Sequence, residues 1–129
     1  MAITVTPNRI GMSNTGYALT AATGVSQVAG TSEDFEFVFP CKDETAYIII
    51  ANGAIAAVTA KLKAAPNHGS YTPNILTLAS GKIAAFRLET GFVKDAGGKV
   101  TLTVNPGAAQ TVSGLGVKIY GVYNSVASR

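Results

Sequence analysis

The sequence predicts an all-β protein: an antiparallel β-sandwich, jelly-roll or immunoglobulin-like, with an extended N-terminal arm. Three observations predict it. Apolar and polar residues alternate in short runs, the period of half-buried strands. Gly, Asn, Asp and Pro punctuation returns at roughly 8–12-residue spacing. No stretch of about 12 residues carries a capped 3.6-residue period.

Residues 1–31 stand apart. Arg9 is their only charged side chain, and Gly, Ser, Thr, Asn and Ala dominate. Ile3-Thr4-Val5-Thr6 reads as a short strand stopped by Pro7, which has no N–H to give a ladder. Asn14-Thr15-Gly16 and Thr23-Gly24 are turn signals. The segment is expected to be an arm, or the first short strands of the sandwich. As an arm it would pack on a neighbouring subunit and leave Phe35–Tyr123 able to fold alone.

Residues 32–129 are expected to form the sandwich. Phe35, Phe37 and Phe39 alternate with Glu36 and Val38, and Pro40 ends the run. Tyr47-Ile48-Ile49-Ile50 is apolar on both faces and predicts a central strand. Asn52-Gly53 is a tight-turn signal. Val58, Ala60 and Leu62 then share one face, against Thr59, Lys61 and Lys63 on the other. A loop rich in turn residues follows, with Pro66, Asn67, His68, Gly69 and Ser70.

Ile75–Leu78 is a short strand, and Ser80-Gly81 a turn. In Ile83–Leu88 the residues Ala84, Phe86 and Leu88 share a face. Thr90-Gly91 breaks that strand, and Asp95-Ala96-Gly97-Gly98 makes a tight connection. Val100, Leu102 and Val104 alternate with Thr101 and Thr103 before the Asn105-Pro106-Gly107 turn. Val117–Tyr123 closes the chain, with Val117, Ile119 and Tyr123 on one face. Phe37, Ile49, Leu62, Phe86, Leu102 and Ile119 are the expected core.

Composition narrows the function. The 129 residues suit one domain with its own core. Hydrophobic residues make up 47% and charged residues 13%, so disorder and coiled coil are excluded. The net charge is +3, but the basic residues are scattered, only Lys61 and Lys63 lying close. Nucleic-acid sites cluster theirs, so no nucleic-acid partner is expected. A mild positive balance instead suits docking on an acidic protein surface. The opening residues lack the basic and apolar regions of a signal peptide. The apolar run Ala46–Ala51 is far short of the ~20 residues a membrane helix needs. A soluble chain made in the cytoplasm, with no membrane partner, is expected.

No catalytic, cofactor-binding or metal residues are predicted, and no cofactor. His68, the sole histidine, lies in a polar loop with no orienting partner nearby. One His and the single Cys41 cannot build a typical zinc site. Ser70, His68 and Asp95 make a triad only on paper, since Gly-x-Ser-x-Gly is missing. Gly114-Leu115-Gly116 lacks the third glycine and the helix of a dinucleotide site, and reads as a flexible turn. Glu33, Asp34, Glu36, Asp43 and Glu44 concentrate acid without calcium-loop spacing. Asp34 and Glu36 share a strand face and are expected to form a solvated or partner-facing rim. Tyr17, Tyr71, Tyr120 and Tyr123, on a surface poor in charge, fit a chain covered by neighbours. His68→Ala and Cys41→Ser are expected to leave the role intact.

From about residue 43 the order of segments resembles small virion proteins of tailed bacteriophages and prophages. The residues that carry it are Asp43-Glu44-Thr45, Tyr47-Ile48-Ile49-Ile50-Ala51-Asn52 and Val58-Thr59-Ala60-Lys61-Leu62-Lys63-Ala64. They continue with Leu76-Thr77-Leu78, Ser80-Gly81-Lys82 and Leu88-Glu89-Thr90-Gly91-Phe92-Val93-Lys94. Gly98-Lys99-Val100-Thr101-Leu102 and Val117-Lys118-Ile119-Tyr120 complete the pattern. The N-terminal part, the His68 loop and Tyr120-Gly121-Val122-Tyr123 depart from it. The family consists of head decoration or cement proteins encoded beside the major capsid protein.

The resemblance implies a non-enzymatic structural protein of the virion that binds the outer capsid surface and stabilises the head. It implies the major capsid protein and neighbouring copies as partners, with homo-oligomers on the lattice. A tail or neck component is the alternative within that family. A carbohydrate-binding or adhesion module is the alternative outside it, though no Trp is present to make a sugar platform. A small hydrolase ranks last.

Overall fold

A computed structural model describes residues 2–11, 14–39, 46–53, 55–63, 75–88 and 99–124. They form nine strands: β1 (Ala2–Val5), β2 (Asn8–Arg9), β3 (Glu33–Phe37), β4 (Ala46–Ala51), β5 (Val58–Leu62), β6 (Leu76–Leu78), β7 (Ile83–Arg87), β8 (Val100–Asn105) and β9 (Lys118–Tyr123). No helix occurs among the described residues. A five-stranded sheet has the order β1-β3-β8-β5-β6, and a four-stranded sheet the order β2-β9-β4-β7. Both are mixed: β1 runs parallel to β3 and β2 parallel to β9, while the remaining pairs are antiparallel.

From β3 onward the chain keeps changing sheet. β3, β5, β6 and β8 lie in one sheet, and β4, β7 and β9 in the other. Such crossings need inner faces that meet, and the core shows that they do. Phe35, Phe37, Val58, Ala60, Leu102 and Val104 from one sheet join Ile48, Ile50 and Ile119 from the other. The arrangement is consistent with a β-sandwich that does not close into a barrel. Gly121 on β9 marks a close approach of the two sheets. A Cβ there would stand 2.9 Å from Cδ2 of Phe37 on the opposite sheet. Phe37 in turn stacks on Phe39, with ring centroids 5.6 Å apart.

Four of the six expected core residues, Phe37, Leu62, Leu102 and Ile119, are buried. Two are not. β4 turns Ile48 and Ile50 inward, which sends Ile49 to the outer face, where it is half-buried. Phe86 faces the core, but its strand is an edge strand, so only part of the ring is covered. Asn52-Gly53, the expected turn signal, follows β4 and starts the crossing to β5 in the other sheet. The Asn52 side chain donates to the carbonyls of Ala56 (2.9 Å) and Leu78 (3.0 Å), fixing the route.

Described residues between 2 and 31 pair with strands of both sheets. β1 edges one sheet and β2 the other, joined through Thr6-Pro7. Ile10 N–H donates to the Tyr123 carbonyl at 2.8 Å. Ala22 and Ile119 exchange backbone bonds of 2.8 and 2.9 Å. The N-terminal segment thus covers the edge of β9, a row of N–H and C=O groups that would otherwise lack partners.

Candidate docking surface

The two outer faces differ in chemistry. On the five-stranded sheet, alternation points Asp34 and Glu36 of β3, Thr101 and Thr103 of β8, and Thr59 and Lys61 of β5 away from the core. Asp34 is held by two partners. Its Oδ2 accepts from Lys63 Nζ at 2.9 Å, and its Oδ1 from the Thr103 hydroxyl at 2.7 Å. Burial pushes the Asp34 carboxyl up. The hydrogen bonds from Lys63 and Thr103 and the Lys63 charge pull it down more strongly, so it ionises below the ordinary carboxylate range. Lys99 Nζ lies 3.4 Å from Glu36 Oε1. The expected acidic rim is therefore a face of matched charges.

Glu33 does not join that rim. Its side chain turns inward and is buried. Oε1 accepts the N–H groups of Val25 (2.8 Å) and Ser26 (3.1 Å), clipping the incoming segment to β3. A Cβ on Gly24 would lie 2.3 Å from Oε2, so only glycine fits beside the carboxylate. Oε2 has no hydrogen-bond partner among the described residues.

The outer face of the four-stranded sheet is mostly apolar, with Arg87 and Lys118 at opposite corners. Its register sets three rows across β7, β4 and β9: Arg87-Tyr47-Val122, Ala85-Ile49-Tyr120 and Ile83-Ala51-Lys118. No carboxylate stands in these rows. Tyr47 is 39% exposed and Ile83 71% exposed, so the β7 side presents apolar surface to solvent. On the β9 side the N-terminal segment lies over the sheet. Ile10, Tyr17 and Leu19 enclose with Ile49 and Val122 a cleft of about 430 Å³.

Asn8 fixes that cover. Its side chain donates to the Thr20 carbonyl (3.1 Å) and accepts from the Thr20 N–H (2.9 Å), closing the loop. It also donates to the Gly121 carbonyl (2.9 Å), tying the loop to β9. Inside the loop the Gly11 N–H donates to the Tyr17 hydroxyl at 3.3 Å. Sequence reasoning missed Asn8, because nothing in Pro7-Asn8-Arg9 marks an asparagine that closes a loop on Thr20.

No family model, curated protein or solved structure matches this chain. Among the described residues no group of three or more His, Cys, Asp and Glu side chains could hold a metal ion. No described helix is long and apolar enough to cross a membrane. Cys41, Asp43, Glu44, His68, Ser70, Tyr71 and Asp95 lie outside the described residues. The Gly114-Leu115-Gly116 turn is anchored rather than loose. Leu115 is buried, and its N–H donates to the Thr111 carbonyl at 3.1 Å. Tyr17, Tyr120 and Tyr123 are half-buried, and Tyr123 packs on the core.

Proposed function

We propose that this chain is a non-enzymatic structural protein of a tailed-phage or prophage virion. It binds the outer surface of the capsid lattice through its four-stranded sheet and stabilises the head. Its partners are the major capsid protein and neighbouring copies of itself, and it works without a cofactor. The finer fold belongs to the same reading: a jelly-roll or immunoglobulin-like sandwich whose N-terminal segment acts as an arm on the lattice.

The observation that carries the proposal is the contrast between the two outer faces. The five-stranded sheet carries threonines and paired charges, which suit water. The four-stranded sheet carries Tyr47, Ile49, Ala51, Ile83, Ala85 and Tyr120 with no acid among them, which suits burial against another protein. The resemblance adds to it. Its segments Tyr47–Asn52 and Val117–Tyr120 contribute β4 and the start of β9, the floor of that apolar face.

Co-sedimentation with capsids assembled from the major capsid protein of the same genome tests the reading. The unaltered protein should pellet with them. Ile83→Asp and Tyr47→Asp should each weaken binding by about tenfold or more, as a buried anchor does. Thr77→Asp, on the other sheet, should change it little. No pelleting of the unaltered protein, or full binding by both face variants, would overturn the proposal.

A further inference from the structure

We propose that β1 is an exchangeable strand: Ala2–Val5 of one copy pairs with β3 of a neighbouring copy, in the register it takes on its own β3. The inference rests on the lattice reading above, in which copies stand side by side, and it names the contact between them.

Three observations carry it. First, among the described strands β1 is bonded to the body on one side only, through β3. It reaches the rest of the chain through Thr6-Pro7, and a residue before proline is held extended.

Second, β1 lies between two clefts. One of about 260 Å³ runs along Thr4, Val5, Thr6, Glu36, Val38 and Lys99. One of about 280 Å³ separates Ile3–Thr6 from Thr20–Thr23. The strand therefore has open space beside it, and its hold on the body is its ladder to β3 and the inward packing of Ile3 and Val5.

Third, its seat must be filled. Val5 is 4% exposed within the common core, and β3 would show an open edge without β1. The pairs Ala2–Asp34, Ile3–Phe35, Thr4–Glu36 and Val5–Phe37 fit this sequence, so a second copy's β1 restores every bond and contact. Closed and exchanged forms differ only in the hinge and in the entropy of association, and concentration selects between them. A lattice raises the effective concentration of neighbouring copies and favours exchange.

Single-cysteine chains test this in a Cys41→Ser background. Thr4 and Glu36 face each other across the β1–β3 pair, within disulfide range. A Thr4→Cys chain and a Glu36→Cys chain, unfolded together and refolded under mild oxidation, should give a disulfide-linked heterodimer. Its yield should rise with protein concentration. A Thr59→Cys chain, its cysteine elsewhere on the same outer face, should give far less with Thr4→Cys. Equal yields, or no heterodimer at all, overturn the exchange.

Should the substitutions prevent folding, unaltered chains decide. Isotope-labelled and unlabelled copies refolded together should give mixed dimers in native mass spectrometry. Deleting residues 1–6 should abolish those dimers, and dimers that persist without them, or never form, overturn the exchange. Capsid co-sedimentation is scored separately. A heterodimer with no capsid binding sinks the lattice reading and leaves the exchange standing. Capsid binding with no heterodimer does the reverse.

Discussion

Ile48 and Ile49 are adjacent on β4 and carry the same side chain into opposite surroundings. Ile48 is fully buried between the sheets, and Ile49 floors the cleft beneath the N-terminal segment. Ile48→Ala should cost about 2–5 kcal/mol, because it leaves a cavity in a packed core. Ile49→Ala should cost nearer ~1 kcal/mol, since less apolar area leaves water there. Denaturant midpoints at unchanged slope measure both. The reverse order would mean that β4 is displaced by one residue, which exchanges its faces. The sequence could not make this choice, because four consecutive apolar residues carry no alternation. Asp34 gives a pH prediction. Its folded pKa lies below the unfolded one. Its stabilisation is therefore fully present above the unfolded value of about 4 and is lost as pH falls through the folded pKa. The pair with Lys63 is solvent-facing, so it is worth at most about 1 kcal/mol. Melting temperature should fall as the solution is acidified below that value, and Asp34→Asn should flatten the fall. An unchanged acid profile in Asp34→Asn would show that the pair contributes nothing.

Among the elements, the edge strands behave least as their sequences suggest. β7 alternates as cleanly as β8, yet β8 is buried on its inner face while β7 leaves Ala84 and Phe86 half-covered. β8 has neighbours on both sides, whereas β7 pairs with β4 alone among the described strands. β1 and β2 are only four and two residues long, yet each edges a sheet and Val5 enters the core. Deleting residues 1–11 should therefore destabilise the body by several kcal/mol, about what losing a core valine and two ladders removes. Chemical denaturation of the truncated chain measures this. A truncated chain as stable as the whole would show that β1 and β2 add nothing to the body. β2 escaped sequence reading because two residues after a proline show no period. Its pairing comes from β9, more than a hundred residues later.

Across the whole molecule, the N-terminal segment joins both sheets and reaches the last strand. The chain should therefore unfold in one cooperative transition. Far-ultraviolet circular dichroism and tyrosine fluorescence should give the same midpoint. Separate midpoints would mean that residues 1–31 and 32–129 melt as different units. The all-β class was legible from the sequence, because alternation and turn spacing are local consequences of the pleat. The inner faces of β3, β5 and β8 were legible for the same reason, in Phe35 and Phe37, in Val58, Ala60 and Leu62, and in Val100, Leu102 and Val104. The apolar outer face was half legible: Tyr120 stood out, but not that β4 and β9 pair to set it on one surface with Tyr47 and with Ile83 of β7. The tertiary structure alone decided which sheet each strand joins, the parallel pairing of β1 and β2, the inward turn of Glu33 and the outward turn of Ile49. Pattern fixes which side chains share a face of one strand. Only burial against distant partners chooses which face meets the core and which neighbour takes the edge.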